Sequence, residues 1–228
     1  MGAMNVLAIE TATSACAVGV ATTTGRELTR VIAGERHHNE VLVPTIADLL
    51  RQAKLAPHAI ERVVVDHGPG LFTGLRVGVA TAIAFAQGVG ASLVELSSLE
   101  LLAYGARRDG VAGEFVAVVD ARRGELFVQR FRLDRDVRAL NAPVVTTPAE
   151  LLATWREGAA AVTLGGDGLA RYADVLAPLA SQVAGELTVP PVLEALRLGA
   201  TRDVVATVTP LYLREPDAVV NFSTRERS

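Results

Sequence analysis

Two turns in this sequence carry acidic and hydroxyl side chains, the residue types that hold phosphate groups and metal ions in nucleotide-binding proteins. The first turn, residues 10–14, contains Glu10, Thr11 and Thr13 and follows the short apolar run 6–9. No glycine occupies this turn, so the backbone that would grip a phosphate is stiffened by Cβ atoms. The residue types favour a nucleotide site at Glu10, Thr11 and Thr13, and the missing glycine predicts weak or vestigial binding.

The second turn begins at Asp120, at the end of the apolar run 115–119. Arg122 and Arg123 follow directly, and nearby positive charges compensate a carboxylate instead of leaving it for Mg²⁺. Both halves of the chain therefore open with a strand, an acid, a polar turn and a returning strand, which is a weak internal repeat. The repeat predicts an α/β fold with two actin-like lobes that arose by duplication.

The polar, glycine-bearing stretch 107–113 is the predicted boundary between the lobes. It separates an N-terminal lobe, residues 4–106, from a C-terminal lobe, residues 114–214. Residues 215–228 form a polar tail that we expect to be loosely held.

A glycine-rich loop, GPGLFTG at residues 68–74, joins a predicted strand at residues 60–65 to a helix at residues 73–87. Unpaired N–H groups at a helix N-terminus attract anions, so Gly68 and Gly70 are candidate nucleotide-binding residues. The spacing GxGxxxG is not the dinucleotide fingerprint, and the only lysine, Lys54, does not complete a P-loop. The alternative interpretation is that these glycines only allow a tight turn and a close backbone approach.

Composition and histidine spacing exclude several classes of protein. Hydrophobic residues make up 50% of the chain, which excludes disorder, and a net charge of -3 gives no broad cationic surface for nucleic acid. Cys16 is the only cysteine, so no internal disulfide forms. No HxxxH pair occurs, and we predict no catalytic residue, no metal and no cofactor. The longest apolar run, residues 77–86, is too short to span a membrane, and we expect a cytoplasmic protein without a targeting segment.

The helix at residues 73–87 carries one charge, Arg76, and is otherwise apolar or uncharged on every side. A helix of this kind must be buried all round. One face of this helix can pack on its own sheet, and the opposite face must be covered by another element. Either the helix at residues 39–53 covers that face, or the two helices form an intermolecular bundle. The predicted interface residues are Leu42, Ile46, Leu49, Leu50, Arg76, Val77, Ala80, Thr81 and Ala84.

Six segments together resemble the bacterial TsaB (YeaZ) family, in order and over almost the whole chain: residues 7–13, 37–44, 68–78, 97–99, 120–125 and 210–214. The resemblance implies an actin-like (ASKHA, ribonuclease H-like) fold. It also implies a non-catalytic partner of TsaD, the actin-like enzyme that installs threonylcarbamoyl on adenosine 37 (t6A37) of tRNAs reading ANN codons. TsaD carries its metal on an HxxxH helix, which this sequence lacks.

By the same resemblance, the first-lobe helices would bind TsaD, and TsaE, an ATPase, would complete the assembly. The same surface could form a homodimer when TsaD is absent, and tRNA would be contacted only indirectly. Three alternatives stay open. One is an active actin-like ATPase or sugar kinase that uses Glu10, Asp120 and Asp167. The others are a metal-dependent peptidase, disfavoured because paired histidines are missing, and a homodimeric interaction protein without a role in RNA modification.

Overall fold

The structure, a computed structural model, describes residues 4–33, 38–157, 162–182 and 187–214. The predicted polar tail, residues 215–228, lies outside the described residues. The described chain forms two five-stranded sheets, one from each half of the sequence.

The first sheet has the strand order β3-β2-β1-β4-β5. Its strands are β1 (Val6–Glu10), β2 (Cys16–Ala21), β3 (Glu27–Ile32), β4 (Arg62–Gly68) and β5 (Ser92–Ser97). The predicted hairpin of β1 and β2 is confirmed, and β4 and β5 extend the sheet in parallel with β1. β1 is buried along its whole length, because helices cover both faces of this sheet.

The second sheet repeats this arrangement in the C-terminal half. Its strands are β6 (Gly113–Arg122), β7 (Glu125–Leu133), β8 (Val137–Ala139), β9 (Val144–Thr146) and β10 (Val162–Gly165). β6 and β7 form the second predicted hairpin, and β10 lies parallel to β6. A hairpin beside a parallel strand occurs in both halves, which confirms the predicted α/β duplication.

Seven helices in the described part of the chain cover the sheets. They are α1 (His38–Ala53), α2 (Phe72–Val89), α3 (Ser98–Arg108), α4 (Pro148–Glu157), α5 (Asp167–Arg171), α6 (Ala173–Leu176) and α7 (Val192–Gly199). α4 begins at a capping box, in which Thr147 N donates to Glu150 Oε2 (2.9 Å) and Glu150 N donates to Thr147 Oγ1 (3.2 Å).

Two helices pack away from the sheet that precedes them in sequence. α3 follows β5, yet Leu102 belongs to the apolar core around Phe115 of the second sheet. α7 follows the second sheet, yet Leu196 packs in the core that contains Ala8 of β1. The division into residues 4–106 and 114–214 stays a prediction, and the packing of these helices crosses it.

Helices α1 and α2 lie together on one face of the first sheet, where Leu42 and Val79 join the core around Ile9. Pro44 lies inside α1, on its exposed side. The carbonyl that loses its partner there belongs to exposed Glu40, where water can bind it.

Among the described residues, α2 alone has the length and apolar composition of a membrane-spanning helix, features that core helices of soluble proteins share.

Candidate functional site

The acidic residue of the first turn lies beside a second buried carboxylate. Glu10 ends β1 and Asp66 lies near the end of β4; the two strands pair in parallel with Ile9 opposite Val65. Glu10 is 0% exposed and Asp66 is 1% exposed. The parallel register therefore brings together two acids that are far apart in sequence.

Each of these carboxylates has one bonded oxygen and one buried oxygen without a hydrogen bond to any described residue. Glu10 Oε1 accepts from the backbone N–H groups of Ala12 (2.8 Å) and Thr13 (3.3 Å). Asp66 Oδ1 accepts from Gly68 N and from Ser98 Oγ, both at 2.8 Å. Within the described part of the chain, Glu10 Oε2 and Asp66 Oδ2 accept no hydrogen bond.

Burial of this pair favours the protonated form of both acids. The pKa of Asp66 is raised to about 7, because burial penalises its charged form more than the bonds from Gly68 and Ser98 stabilise it. The pKa of Glu10 is raised well above its ordinary value, first by burial and then by the nearby charge of Asp66.

The first turn faces the glycine loop with the carbonyl group of Ala12 and the hydroxyl of Thr11. Leu71 N donates to Ala12 O (2.7 Å), and a Cβ added to Gly70 would lie 2.2 Å from that carbonyl oxygen. Thr11 Oγ1 donates to Gly74 O (2.9 Å). Glycine at position 70 is therefore required for the close approach of two backbone segments.

The five predicted nucleotide-binding residues are thus brought into one region, where Thr11, Thr13 and Gly68 use donors within the chain. The N–H groups of Ala12 and Thr13, which would have to grip a phosphate, bind Glu10 instead. Gly68 N likewise binds Asp66. The arrangement offers a phosphate no free donor at these three positions, and this favours the packing interpretation of the glycines.

The turn of the second hairpin also compensates its own acid, as expected. Arg122 Nη1 lies 3.2 Å from Asp120 Oδ2. Asp120 N donates to Asp167 Oδ1 (3.0 Å), and burial raises the pKa of Asp167 to about 6. Among the described residues, no group of three or more histidine, cysteine or acidic side chains could hold a metal ion.

The predicted interface residues fall into two sets. Leu42, Ile46, Leu49 and Leu50 are 0%, 4%, 2% and 4% exposed and contribute to the chain's own core, so the structure corrects their placement on an outer surface. The helical period turns these four side chains toward the sheet, and the outer side of α1 is formed by Val43, Pro44 and Ala47 instead.

The α2 residues of the predicted interface lie on its outer side. Arg76, Ala80 and Ala84 are exposed, and Val77 and Thr81 are half-buried. The stripe of Gly74, Gly78, Ala82 and Ala86 is buried on the opposite side, and a Cβ added to Gly74 would lie 2.1 Å from Thr11 O. The small residues therefore serve the contact with the chain's own first turn and sheet. We define the α2 outer face as Arg76, Val77, Ala80, Thr81 and Ala84.

Arg76 also belongs to a cluster that the sequence did not reveal. Its guanidinium lies 3.9 Å from the ring centroid of Phe72, and its Nε donates to Tyr212 Oη (3.1 Å). The rings of Phe72 and Tyr212 are 4.9 Å apart. Beside Phe72, a cavity of about 490 Å³ is lined by His38, Asn39, Leu71, Thr73, Gly74 and Val77.

Three functional candidates were absent from the sequence prediction: Asp66, Ser98 and Tyr212. Asp66 could have been predicted from the sequence, because it follows an apolar strand in the same way as Glu10 and Asp120. The hydroxyl of Ser98 donates to Asp66, and Ser97, at the N-cap position of α3, makes no side-chain capping bond. Tyr212 lies in segment 210–214 of the family resemblance, but nothing in that segment indicates a contact with Arg76.

Comparison with known proteins agrees with the fold and with the predicted resemblance. The TsaD family, described as tRNA N6-adenosine threonylcarbamoyltransferase, matches residues 32–186. The tRNA threonylcarbamoyladenosine biosynthesis protein TsaB of Escherichia coli (strain K12) is 32% identical over 133 residues, which are 58% of this chain and 57% of that protein. TsaB of Bacillus subtilis (strain 168) is 32% identical over 124 residues, 54% of this chain and 52% of that protein.

A solved structure covers more of the chain. YeaZ from Pseudomonas aeruginosa superposes with a TM-score of 0.77 at 26% identity, over 92% of this chain and 100% of that chain. The chain spans about half the length of the curated relatives it matches. The actin-like α/β fold class is confirmed. Because the family match covers residues 32–186 of 228, the chain belongs to the TsaD family, and among its relatives it is similar to TsaB and YeaZ.

Proposed function

We propose that this chain is an accessory subunit in the formation of t6A37 on tRNAs reading ANN codons. It binds TsaD through the outer sides of α1 and α2 and activates it together with TsaE, and it supplies no catalytic residue of its own. The names of the relatives, TsaB and the TsaD transferase family, support a part in threonylcarbamoyladenosine biosynthesis. The cytoplasm, where tRNA is modified, is the expected compartment.

The observation that carries the proposal is the exposure of the α2 outer face. Ala80 and Ala84 are exposed on a helix whose other side already covers the first sheet. The adjacent side of α1 adds Val43, which is 59% exposed, and Pro44. Exposed apolar surface on neighbouring helices is typical of a protein interface. In the absence of TsaD, the same surface pairs with a second copy of this chain, and tRNA is reached only through the complex.

The first turn supports a non-catalytic role. A phosphate-gripping turn needs free N–H groups, and those of Ala12 and Thr13 bind Glu10. This chain also does not fit the metal that TsaD carries on paired histidines. The described residues contain no cluster of three or more histidine, cysteine or acidic side chains that could hold a metal ion. We therefore derive no chemical step from this chain.

The rival function, an actin-like ATPase or sugar kinase, would use Glu10, Asp120 and Asp167 as charged carboxylates. Burial raises the pKa of Glu10 and of Asp167, which disfavours the charged forms that Mg²⁺ requires. The peptidase alternative would need a metal ligand group, and a homodimeric interaction protein would bind no TsaD.

The decisive experiment is reconstitution with TsaD, TsaE, the adenylate-forming enzyme, threonine, bicarbonate, ATP and tRNA. Mass spectrometry of the nucleosides then measures t6A with and without this chain. We expect t6A to form only, or much faster, when the chain is present. Equal amounts of product in both reactions would refute the accessory role.

Variants of the α2 outer face test where TsaD binds. Ala80→Asp and Ala84→Asp each place an unpaired charge in the buried interface, and desolvating it costs several kcal/mol, which weakens binding about a hundredfold or more. Ala153→Asp on α4 is the matched control, because this alanine is also exposed on a helix but lies far along the chain from α2. Unchanged affinity of the α2 variants for TsaD, measured by calorimetry, would exclude this face.

An ATP hydrolysis assay on the purified chain separates the accessory role from the rival. We expect no turnover above background for the wild type. Turnover that Glu10→Gln abolishes would favour an active ATPase or kinase instead.

A further inference from the structure

We infer that Tyr212 is a positioning residue for the docking of TsaD: it fixes the guanidinium of Arg76 on the α2 outer face so that Arg76 can bind a carboxylate of the partner. This inference rests on the proposed function and names a contact of the same face. It starts from the cluster of Phe72, Arg76 and Tyr212.

The cluster holds Arg76 from two sides. Its guanidinium carbon lies 3.9 Å from the centroid of the Phe72 ring, and Tyr212 Oη accepts from its Nε at 3.1 Å. Tyr212 is itself held by its ring contact with Phe72 at 4.9 Å. An arginine restrained in this way loses less conformational entropy when it forms an ion pair.

The Nη groups of Arg76 have no hydrogen-bond partner among the described residues, whereas its Nε is used by Tyr212. Two parallel N–H groups of a guanidinium match the two oxygens of a carboxylate. Arg76 is also the only charged residue of the α2 outer face, so a partner carboxylate opposite it fixes the register of two otherwise apolar helices. Arginine and tyrosine are enriched among the residues that dominate binding energy.

Tyr212 is fixed in place because it lies on a segment anchored at both ends. We name residues 201–214 the C-terminal strap. Val208 is buried in the core of the first sheet, and Leu211 N donates to His67 O (2.7 Å). Two residues beyond Tyr212, Arg214 Nη1 lies 2.6 Å from Glu125 Oε2 at the second hairpin. The strap therefore presents the Tyr212 hydroxyl to Arg76 from contacts with both halves of the molecule.

A double-mutant cycle tests the inference. Affinity for TsaD is measured for the wild type, Tyr212→Phe, Arg76→Ala and the double variant. We expect Tyr212→Phe, which keeps the ring and removes the hydroxyl, to weaken binding about threefold to tenfold in the wild-type background. In the Arg76→Ala background the same change should have no further effect, because Tyr212 acts through Arg76.

Tyr104→Phe is the matched control. Tyr104 also accepts a hydrogen bond from an arginine, Arg202 Nη2 at 3.2 Å, but it lies on α3 and not on the α2 outer face. Its removal should leave the affinity for TsaD unchanged. Thermal unfolding of every variant checks that the fold is retained.

A spectroscopic measurement provides a second readout that needs no partner. In nuclear magnetic resonance spectra, the Nε–H signal of Arg76 should be protected from exchange with water in the wild type. It should lose this protection in Tyr212→Phe. An unprotected signal in the wild type would overturn the positioning role.

The outcomes are distinguishable. A wild-type chain that does not bind TsaD refutes the proposed function and this inference with it. Two outcomes in which the wild-type chain binds TsaD refute only the inference. In one, Tyr212→Phe weakens binding equally with and without Arg76→Ala; in the other, Tyr212→Phe has no effect on binding.

Discussion

The buried pair of Glu10 and Asp66 makes the stability of this protein depend on pH in a direction opposite to that of most acidic residues. Burial raises the folded-state pKa of Asp66 from 3.8 to about 7. Between these two pH values the folded chain holds a proton that the unfolded chain releases. The free energy of unfolding therefore decreases as pH rises through this window.

The magnitude follows from the size of the shift. A difference of about three pKa units corresponds to about 4 kcal/mol of unfolding free energy, lost between roughly pH 4 and pH 7. The raised pKa of neighbouring Glu10 adds to this loss, because Glu10 also holds a proton in the folded chain that the unfolded chain releases.

The variant Asp66→Asn removes this titration. Its amide oxygen can keep the bonds from Gly68 and Ser98, and its amide N–H₂ does not ionise. Relative to the wild type, the variant should gain about 2 to 4 kcal/mol of unfolding free energy between about pH 5 and pH 8. Urea unfolding monitored by circular dichroism across this pH range measures the difference.

Asp48→Asn is the control for this prediction. Half-buried Asp48 has a lowered pKa, caused first by its hydrogen bond with Arg30, so it is ionised in both folded and unfolded chains over the same pH range. Its difference from the wild type should not vary with pH. A pH-independent difference for Asp66→Asn would refute the assignment of a buried, proton-holding carboxylate.

Two further predictions concern helix sequence. Gly74→Ala should destabilise the fold by about 2 kcal/mol or more, since the new Cβ meets the Thr11 carbonyl oxygen at 2.1 Å. Gly88 of the same helix has open space around it, so Gly88→Ala should stabilise the fold by about 0.5–1 kcal/mol. Equal effects of the two changes in thermal unfolding would contradict the packing role of the glycine stripe. Thr147→Ala removes the hydroxyl that caps α4 and should cost about 1 kcal/mol in urea unfolding, and an unchanged midpoint would show that this cap contributes nothing.

Local patterns in the sequence were sufficient for much of the fold. Apolar runs that end in an acid and a polar turn predicted both hairpins, and the glycine loop predicted the start of α2 to within one residue. β3 was missed because it is a largely exposed edge strand, whose residues Glu27–Ile32 show neither an apolar run nor a regular alternation. An edge strand is stabilised by its backbone bonds to a neighbour, which leave no periodic trace.

The candidate site was only partly readable. Residue types identified Glu10 and the glycine loop, because an acid after an apolar run and a cluster of glycines are patterns that span only a few positions. Phosphate binding at the glycine loop depends on whether the first turn, residues 10–14, points N–H groups or carbonyl groups toward the loop. In the structure, the carbonyl of Ala12 faces the loop, and the N–H of Ala12 binds Glu10. Backbone direction at a turn of mixed small and polar residues is set by the packing around it.

The sequence by itself determined two α/β halves, an uncharged helix with one arginine, and a set of segments that resemble one family. Only the tertiary structure decided which side of that helix is exposed and that Asp66 lies beside Glu10. It also decided that α3 and α7 pack on the sheet of the other half, and that Tyr212 contacts Arg76, which is 136 positions away in sequence. The reason is physical: periodicity and turn chemistry act between near neighbours, whereas these contacts arise from the packing of distant segments against each other.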